Sequence, residues 1–163
     1  MMRIGVISDT HGFFDEKLKK FLREVDEIWH AGDIGSLKLA DEISAFKPLR
    51  AVYGNIDDAE VRSAYPEVLE FRAEGLKVSI THIAGYPGRY SGPRVLGILQ
   101  NRPGILIAGH SHILKVIYDK ANDLLFMNPG AAGVYGMHQV RTALRFNLLS
   151  GSISDMEIGE WIK

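Results

Sequence analysis

Ile4-Gly5-Val6-Ile7-Ser8-Asp9-Thr10-His11-Gly12 joins an apolar run to a polar tail closed by glycine. A short apolar run before a turn signal describes a buried strand, and the tail describes the loop that follows it. The pattern then repeats. Glu27-Ile28-Trp29-His30-Ala31 runs into Gly32-Asp33, and Leu49 to Tyr53 runs into Gly54-Asn55. Between the first two, Leu18, Phe21, Leu22 and Val25 fall at helical spacing within Asp15–Asp26. Lys17, Lys19, Lys20 and Arg23 lie off that stripe and read as its solvated face. Between the second pair, Ser36 is placed to cap a helix reaching Phe46, which Pro48 closes. This β-α-β-α-β order predicts parallel strands joined by helical crossovers. In such sheets ligands collect outside the carboxyl ends of the strands, where each of these glycine–polar signals sits.

The second half is richer in strands. Val68–Ala73 and Leu76–Thr81 flank Glu74-Gly75, a hairpin signal, and the second run ends at His82. A Gly/Pro-rich loop spans Ile83–Pro93, and a short helix covers Arg94–Gln100. Ile105–Ala108 is a buried strand running into Gly109-His110-Ser111-His112. Val116–Tyr118 with Leu124–Met127, and Gln139–Leu148 with Ser152–Ile158, read as two further hairpins. The inferred architecture is α/β: two packed sheets with helices outside.

The chain has 163 residues, 46% hydrophobic and 24% charged, which fits one domain over 1–163 and excludes a disordered chain, a collagen or a long coiled coil. Lysine plus arginine number 19 and aspartate plus glutamate 20, so no global field draws in nucleic acid or an anionic membrane. With no cysteine, any metal must be held by histidine nitrogen and by carboxylate or amide oxygen. Neither a signal peptide nor a membrane-length apolar run is read, so a cytoplasmic location is expected.

Asp9 and His11, Asp33, Asn55, His82, and His110 and His112 recur at five predicted strand ends. Alone, each reads as a turn residue or an ordinary hydrogen-bonder. As an ordered set they combine hard oxygen donors with imidazoles, a mixture suited to Mn, Fe, Co, Ni or Zn. Asp9/His11 and His110/His112 are i, i+2 pairs, which in an extended segment point to one side.

Ser8-Asp9-Thr10-His11-Gly12, His30-Ala31-Gly32-Asp33, Gly54-Asn55, Thr81-His82, Gly109-His110-Ser111-His112 and Asn128-Pro129-Gly130 together resemble the signature of the calcineurin-like metallophosphoesterases. The wording is similar to the small bacterial and archaeal phosphodiesterase branch, which includes the scaffold subunit of the eukaryotic retromer. The resemblance implies a four-layer α/β/β/α sandwich of two mixed sheets with flanking helices. It implies that Asp9, His11 and His112 hold one metal, that Asn55, His82 and His110 hold the other, and that Asp33 bridges them. Asp33 and Asn55 are also its expected catalytic residues. The implied cofactors are two divalent transition-metal ions, Mn first, with Ni, Fe, Co or Zn as alternatives. The implied reaction is hydrolysis of a phosphate ester, foremost a phosphodiester, by in-line attack of a hydroxide between the metals. A phosphomonoesterase and a non-catalytic interaction scaffold on the same fold are the alternatives. The implied partner is a small phosphate ester or nucleotide, and a homo-oligomer is allowed.

Two departures stand out. Ile56 follows Gly54-Asn55 where many superfamily members carry a histidine that protonates the leaving oxygen. His138 is a substitute candidate. After His82 the branch's second histidine is missing, and the loop carries Tyr86, Arg89, Tyr90 and Arg94. Arg89 and Tyr90 are read as substrate-binding residues, against the alternative of a solvated loop. His30 and Asn128 are candidates for orienting the site, Asp57 and Asp58 for capping a short helix. Tyr135 and His138 are placed to reach the site or a subunit contact.

Overall fold

The computed structural model describes residues 1–163. The first half runs β1 (Met2–Ile7), α1 (Glu16–Leu22), β2 (Glu27–His30), α2 (Leu37–Phe46), β3 (Leu49–Ala51), α3 (Ala59–Ala64), β4 (Val68–Ala73) and β5 (Leu76–Thr81). The second runs β6 (Gly85–Tyr86), β7 (Arg89–Tyr90), α4 (Pro93–Gln100), β8 (Ile105–Ile107), β9 (Leu114–Asp119), β10 (Leu124–Pro129), β11 (Val140–Leu149) and β12 (Ser152–Ile162). Two five-stranded mixed sheets form, ordered β12-β11-β1-β2-β3 and β4-β5-β8-β10-β9. β1, β2 and β3 are parallel, as are β5, β8 and β10; β3 is a parallel edge, and the antiparallel strands β12, β4 and β9 form the other three.

Strand alternation builds the layers. Ile4, Val6 and Trp29 face inward and meet Val78, Ile80, Ile105 and Ile107 of the second sheet. Ile7 and Ile28 face outward onto Leu18, Leu22, Ile43 and Val61 of the first three helices. Leu106 and Phe126 face outward onto Val95 and Ile98 of α4. The result is the four-layer α/β/β/α sandwich. Central strands buried on both faces explain why their sequences are apolar without alternation.

Local chemistry sets the helix limits. Asp15, Ser36 and Asp58 each accept the backbone N–H three residues on, capping α1, α2 and α3. The first helix stops at Leu22, short of the expected Asp26, because Arg23 and Val25 donate to carbonyls three residues back. That tighter turn still brings Val25 into the outer core. The Gly/Pro-rich loop is not wholly irregular, since Tyr86 pairs with Arg89 in the β6–β7 hairpin.

Candidate metal centre

The loops after β1, β2, β3, β5 and β8 converge. Asp9 is fully buried. Its Oδ2 accepts from the Ser8 hydroxyl at 2.6 Å and the His110 amide at 3.1 Å. Its Oδ1 faces three imidazole Nε2 atoms: His112 at 3.1 Å, His11 at 3.7 Å and His82 at 3.9 Å. Asp33 accepts the Ile56 N–H on Oδ1 at 3.1 Å. Its Oδ2 faces His82 Nε2 at 3.2 Å and His11 Nε2 at 3.5 Å. Two donor groups result, Asp9/His11/His112 and Asp33/His82/His110, each with ligand atoms within 4.8 Å of one another. Asn55 joins the second, its Oδ1 3.0 Å from His110 Nδ1.

The backbone is bent to reach this arrangement. Asp9, His11, Asp33, His110 and His112 all have positive φ, between 45° and 69°. Such conformations cost roughly 1–3 kcal/mol each and persist where the surroundings enforce them. The i, i+2 pairs therefore converge through left-handed residues, and the extended-segment reading of their spacing is corrected. Close approach also decides two glycines. A Cβ on Gly54 would lie 2.0 Å from Asp33 Oδ1, and one on Gly109 would lie 2.0 Å from Ser8 Oγ.

Burial pushes the Asp9 carboxyl up, but His11, His112, His82 and Ser8 outweigh it and hold it well below the usual carboxylate range. Burial likewise raises Asp33, and His82 with the Ile56 amide brings it down overall. Burial disfavours the charged form of His82, yet Asp33 and Asp9 outweigh it and raise its pKa.

Several residues hold the cluster without joining it. His82 Nδ1 donates to the Ala31 carbonyl at 2.7 Å, which fixes its tautomer and leaves Nε2 with a lone pair. The Tyr135 ring lies 4.9 Å from that of His11, and His138 Nδ1 lies 3.2 Å from His112 Nδ1. His30 is fully buried; its Nδ1 accepts from Gly32 N–H and its Nε2 donates to Thr10, which donates to the Ile34 carbonyl. It braces the loop backbone, hydrogen-bonding Thr10 and Gly32 and none of the clustered carboxylates or imidazoles. Asn128 donates to the Gly109 carbonyl and accepts from Gly130 N–H, serving both its own turn and the histidine loop. Asp58 caps α3, but Asp57 does not cap. Its buried carboxylate takes the amides of Ile34, Gly35 and Gly54, locking the loops after β2 and β3 together.

The divalent metals that the donor set suggests pass a direct test of fit. Nε2 of His11 and Nε2 of His82 are buried with no hydrogen-bond partner, and both face carboxylate oxygens. Buried ring nitrogens left unpartnered beside carboxylates are costly in protein alone, and a cation relieves them.

A cavity of about 490 Å³ adjoins His110 and is lined by Ile83, Tyr86, Ile113, Lys115 and Phe126. Tyr86 faces it, with Lys115 Nζ 4.1 Å from the ring centroid; Arg89 and Tyr90 do not line it. The Tyr90 hydroxyl instead donates to Asp119 at 2.7 Å, and burial together with that carboxylate raises its pKa. Arg94 pairs with Glu67 at 2.7 Å beside a smaller cavity of about 170 Å³ that Asn55, His82 and Arg62 also line.

Residues 2–151 match the model of the calcineurin-like phosphoesterase superfamily domain. A protein of Methanothermobacter thermautotrophicus named "Probable metallophosphoesterase" is 33% identical over 139 residues, spanning 82% of this chain and 78% of its own. The crystal structure of Chaetomium thermophilum Vps29 superposes with a TM-score of 0.74 at 18% identity, covering 100% of both chains. Wild-type Vps29 from Entamoeba histolytica, crystallised in complex with Zn²⁺, superposes with a TM-score of 0.67 at 19% identity, covering 98% of this chain and 99% of that one. No helix is long and apolar enough to cross a membrane.

Proposed function

The chain belongs to the calcineurin-like phosphoesterase superfamily, and we propose that within it the protein is a phosphodiesterase using two divalent cations, Mn²⁺ first. Asp9, His11 and His112 would hold one ion, Asn55, His82 and His110 the other, and Asp33 both. The observation that carries this is the pair of buried, unpartnered Nε2 atoms of His11 and His82 set between two carboxylates. When bound, two such cations neutralise charge on the phosphoryl oxygens and acidify a water enough to attack at neutral pH.

The chain's own residues supply position. Asp33 is held by the Ile56 amide so that Oδ2 stays turned toward His11 and His82. Asp9 is anchored through Oδ2, leaving Oδ1 toward the imidazoles. The cavity beside His110 is within the size range of small-ligand sites, and its apolar walls suit the second ester group that separates a diester from a monoester. The Ile56 side chain carries no proton for the leaving oxygen, so acidic leaving groups are favoured.

Purified protein assayed on bis(p-nitrophenyl) phosphate should turn over only with added Mn²⁺, and Asp33→Ala should abolish turnover. Faster cleavage of p-nitrophenyl phosphate than of the diester would move the assignment to a phosphomonoesterase. Absence of metal-dependent turnover on either would favour the scaffold reading, which the fold likeness to Vps29 keeps in view.

A further inference from the structure

We propose that His138 is a positioning residue that sets the tautomer and ring orientation of His112. The inference rests on His112 being a metal ligand. His138 Nε2 lies 2.9 Å from the Gly133 carbonyl, which can only accept, so in the neutral ring the hydrogen sits on Nε2. His138 Nδ1 is then an acceptor, 3.2 Å from His112 Nδ1, and His112 must donate to it. That leaves His112 Nε2 as a lone pair aimed at Asp9 Oδ1, 3.1 Å away. The chain of bonds prepares an imidazole whose free nitrogen faces a carboxylate, the disposition a divalent ion needs. His82 reaches the same state through the Ala31 carbonyl. A neutral histidine does for His112 what a backbone carbonyl does for His82.

The surrounding segment is shaped for this contact. Gly136 has φ +123°, and a Cβ there would lie 2.5 Å from His112 Nδ1 and 3.1 Å from His138 Nδ1. Only a glycine lets the loop close over the pair. Lys163 Nζ donates to the Gly136 and His138 carbonyls at 2.5 and 3.3 Å, pinning the same turn. The two rings meet edge to face, 5.0 Å between centroids.

Two substitutions separate positioning from packing. His138→Phe keeps a ring but has no acceptor. His138→Asn loses volume but keeps an oxygen near the position of Nδ1. Titration calorimetry of metal-stripped protein with Mn²⁺ should show His138→Phe weakening one of the two sites ~10–100-fold, the usual cost of losing a partner behind a ligand, and His138→Asn staying within about fivefold of wild type. A packing role predicts the reverse order, and that result, or equal affinities in both variants, would overturn the proposal. A wild type that binds no Mn²⁺ would sink the metal assignment along with it. Long-range ¹H–¹⁵N spectra of Zn²⁺-loaded wild type give a readout independent of folding in the variants. They should show His112 protonated on Nδ1 and His138 on Nε2; the opposite tautomers would refute the inference.

Discussion

The backbone N–H of Ile56 donates to Oδ1 of Asp33 across 3.1 Å, while the Ile56 side chain is 46% exposed beside the cluster. One residue thus steadies the carboxylate expected to be shared and offers the approach no proton donor of its own. Replacing the side chain should not disturb the amide bond.

Ile56→His is therefore expected to speed cleavage of diesters with alkyl leaving groups by about tenfold or more, with a smaller gain on aryl esters. The check is the slope of log kcat against leaving-group pKa, which should flatten in the variant. An unchanged slope would show that the introduced imidazole does not reach the leaving oxygen, or that another acid already serves.

Gly54→Ala introduces a Cβ that would sit 2.0 Å from Asp33 Oδ1 and 2.3 Å from Asp33 N. Asp33 must move. A displacement near 1 Å at a reacting centre can cost ~10²-fold, so kcat/KM should fall by about that factor. Circular dichroism should stay native, because the clash lies in a loop. Full activity in the variant would mean that Asp33 is not required in its present place.

Asp57→Ala removes the acceptor of three amides, those of Ile34, Gly35 and Gly54. Leaving such donors unpaired beneath the site should destabilise the protein by about 3 kcal/mol or more. Urea unfolding measures this, and Asp57→Asn should recover part of the loss.

Acid should weaken the fold through His30. Burial depresses its pKa from 6.5 to about 4, and its Nδ1 accepts an amide, so the folded state holds it neutral. Below pH 6.5 the unfolded chain gains a proton that the folded one refuses. The contribution is complete above pH 6.5 and is lost as pH falls toward 4. Between pH 6.5 and 5 wild type should lose about 2 kcal/mol more than His30→Phe. In metal-free protein the raised pKa of His82 acts in the opposite sense, adding stability at low pH that is lost as pH rises through its folded value. The comparison with the variant removes that contribution.

The parts of the molecule readable from sequence are those governed by continuous apolar runs and their punctuation. β1, β2, β5 and β8 are such runs, and each ends on the polar residues that the structure gathers. The β4–β5 hairpin turns at Glu74-Gly75, both with positive φ, as a glycine-containing two-residue turn suggests. Harder to read were features that depend on distant partners. Asp57 resembles a helix cap beside Asp58, and only its amide partners 22 and 23 residues upstream reveal the loop lock. The role of the loop after His82 depends on partners distant in sequence: Tyr86 lines the cavity beneath Lys115, while the Tyr90 hydroxyl is taken by Asp119. His138 is legible as a candidate to reach the site, but its contact with His112 depends on the turn at Gly136 and on Lys163.

Each donor triad takes members from both sheets: Asp9 and His11 follow β1 and His112 follows β8, while Asp33 follows β2 and His82 and His110 follow β5 and β8. An ion seated in either one is consequently a stitch across the seam of the sandwich. Chelation would open that seam from its carboxyl end, with amide exchange quickening first at the tips of β1 and β8 and fading toward the far edge.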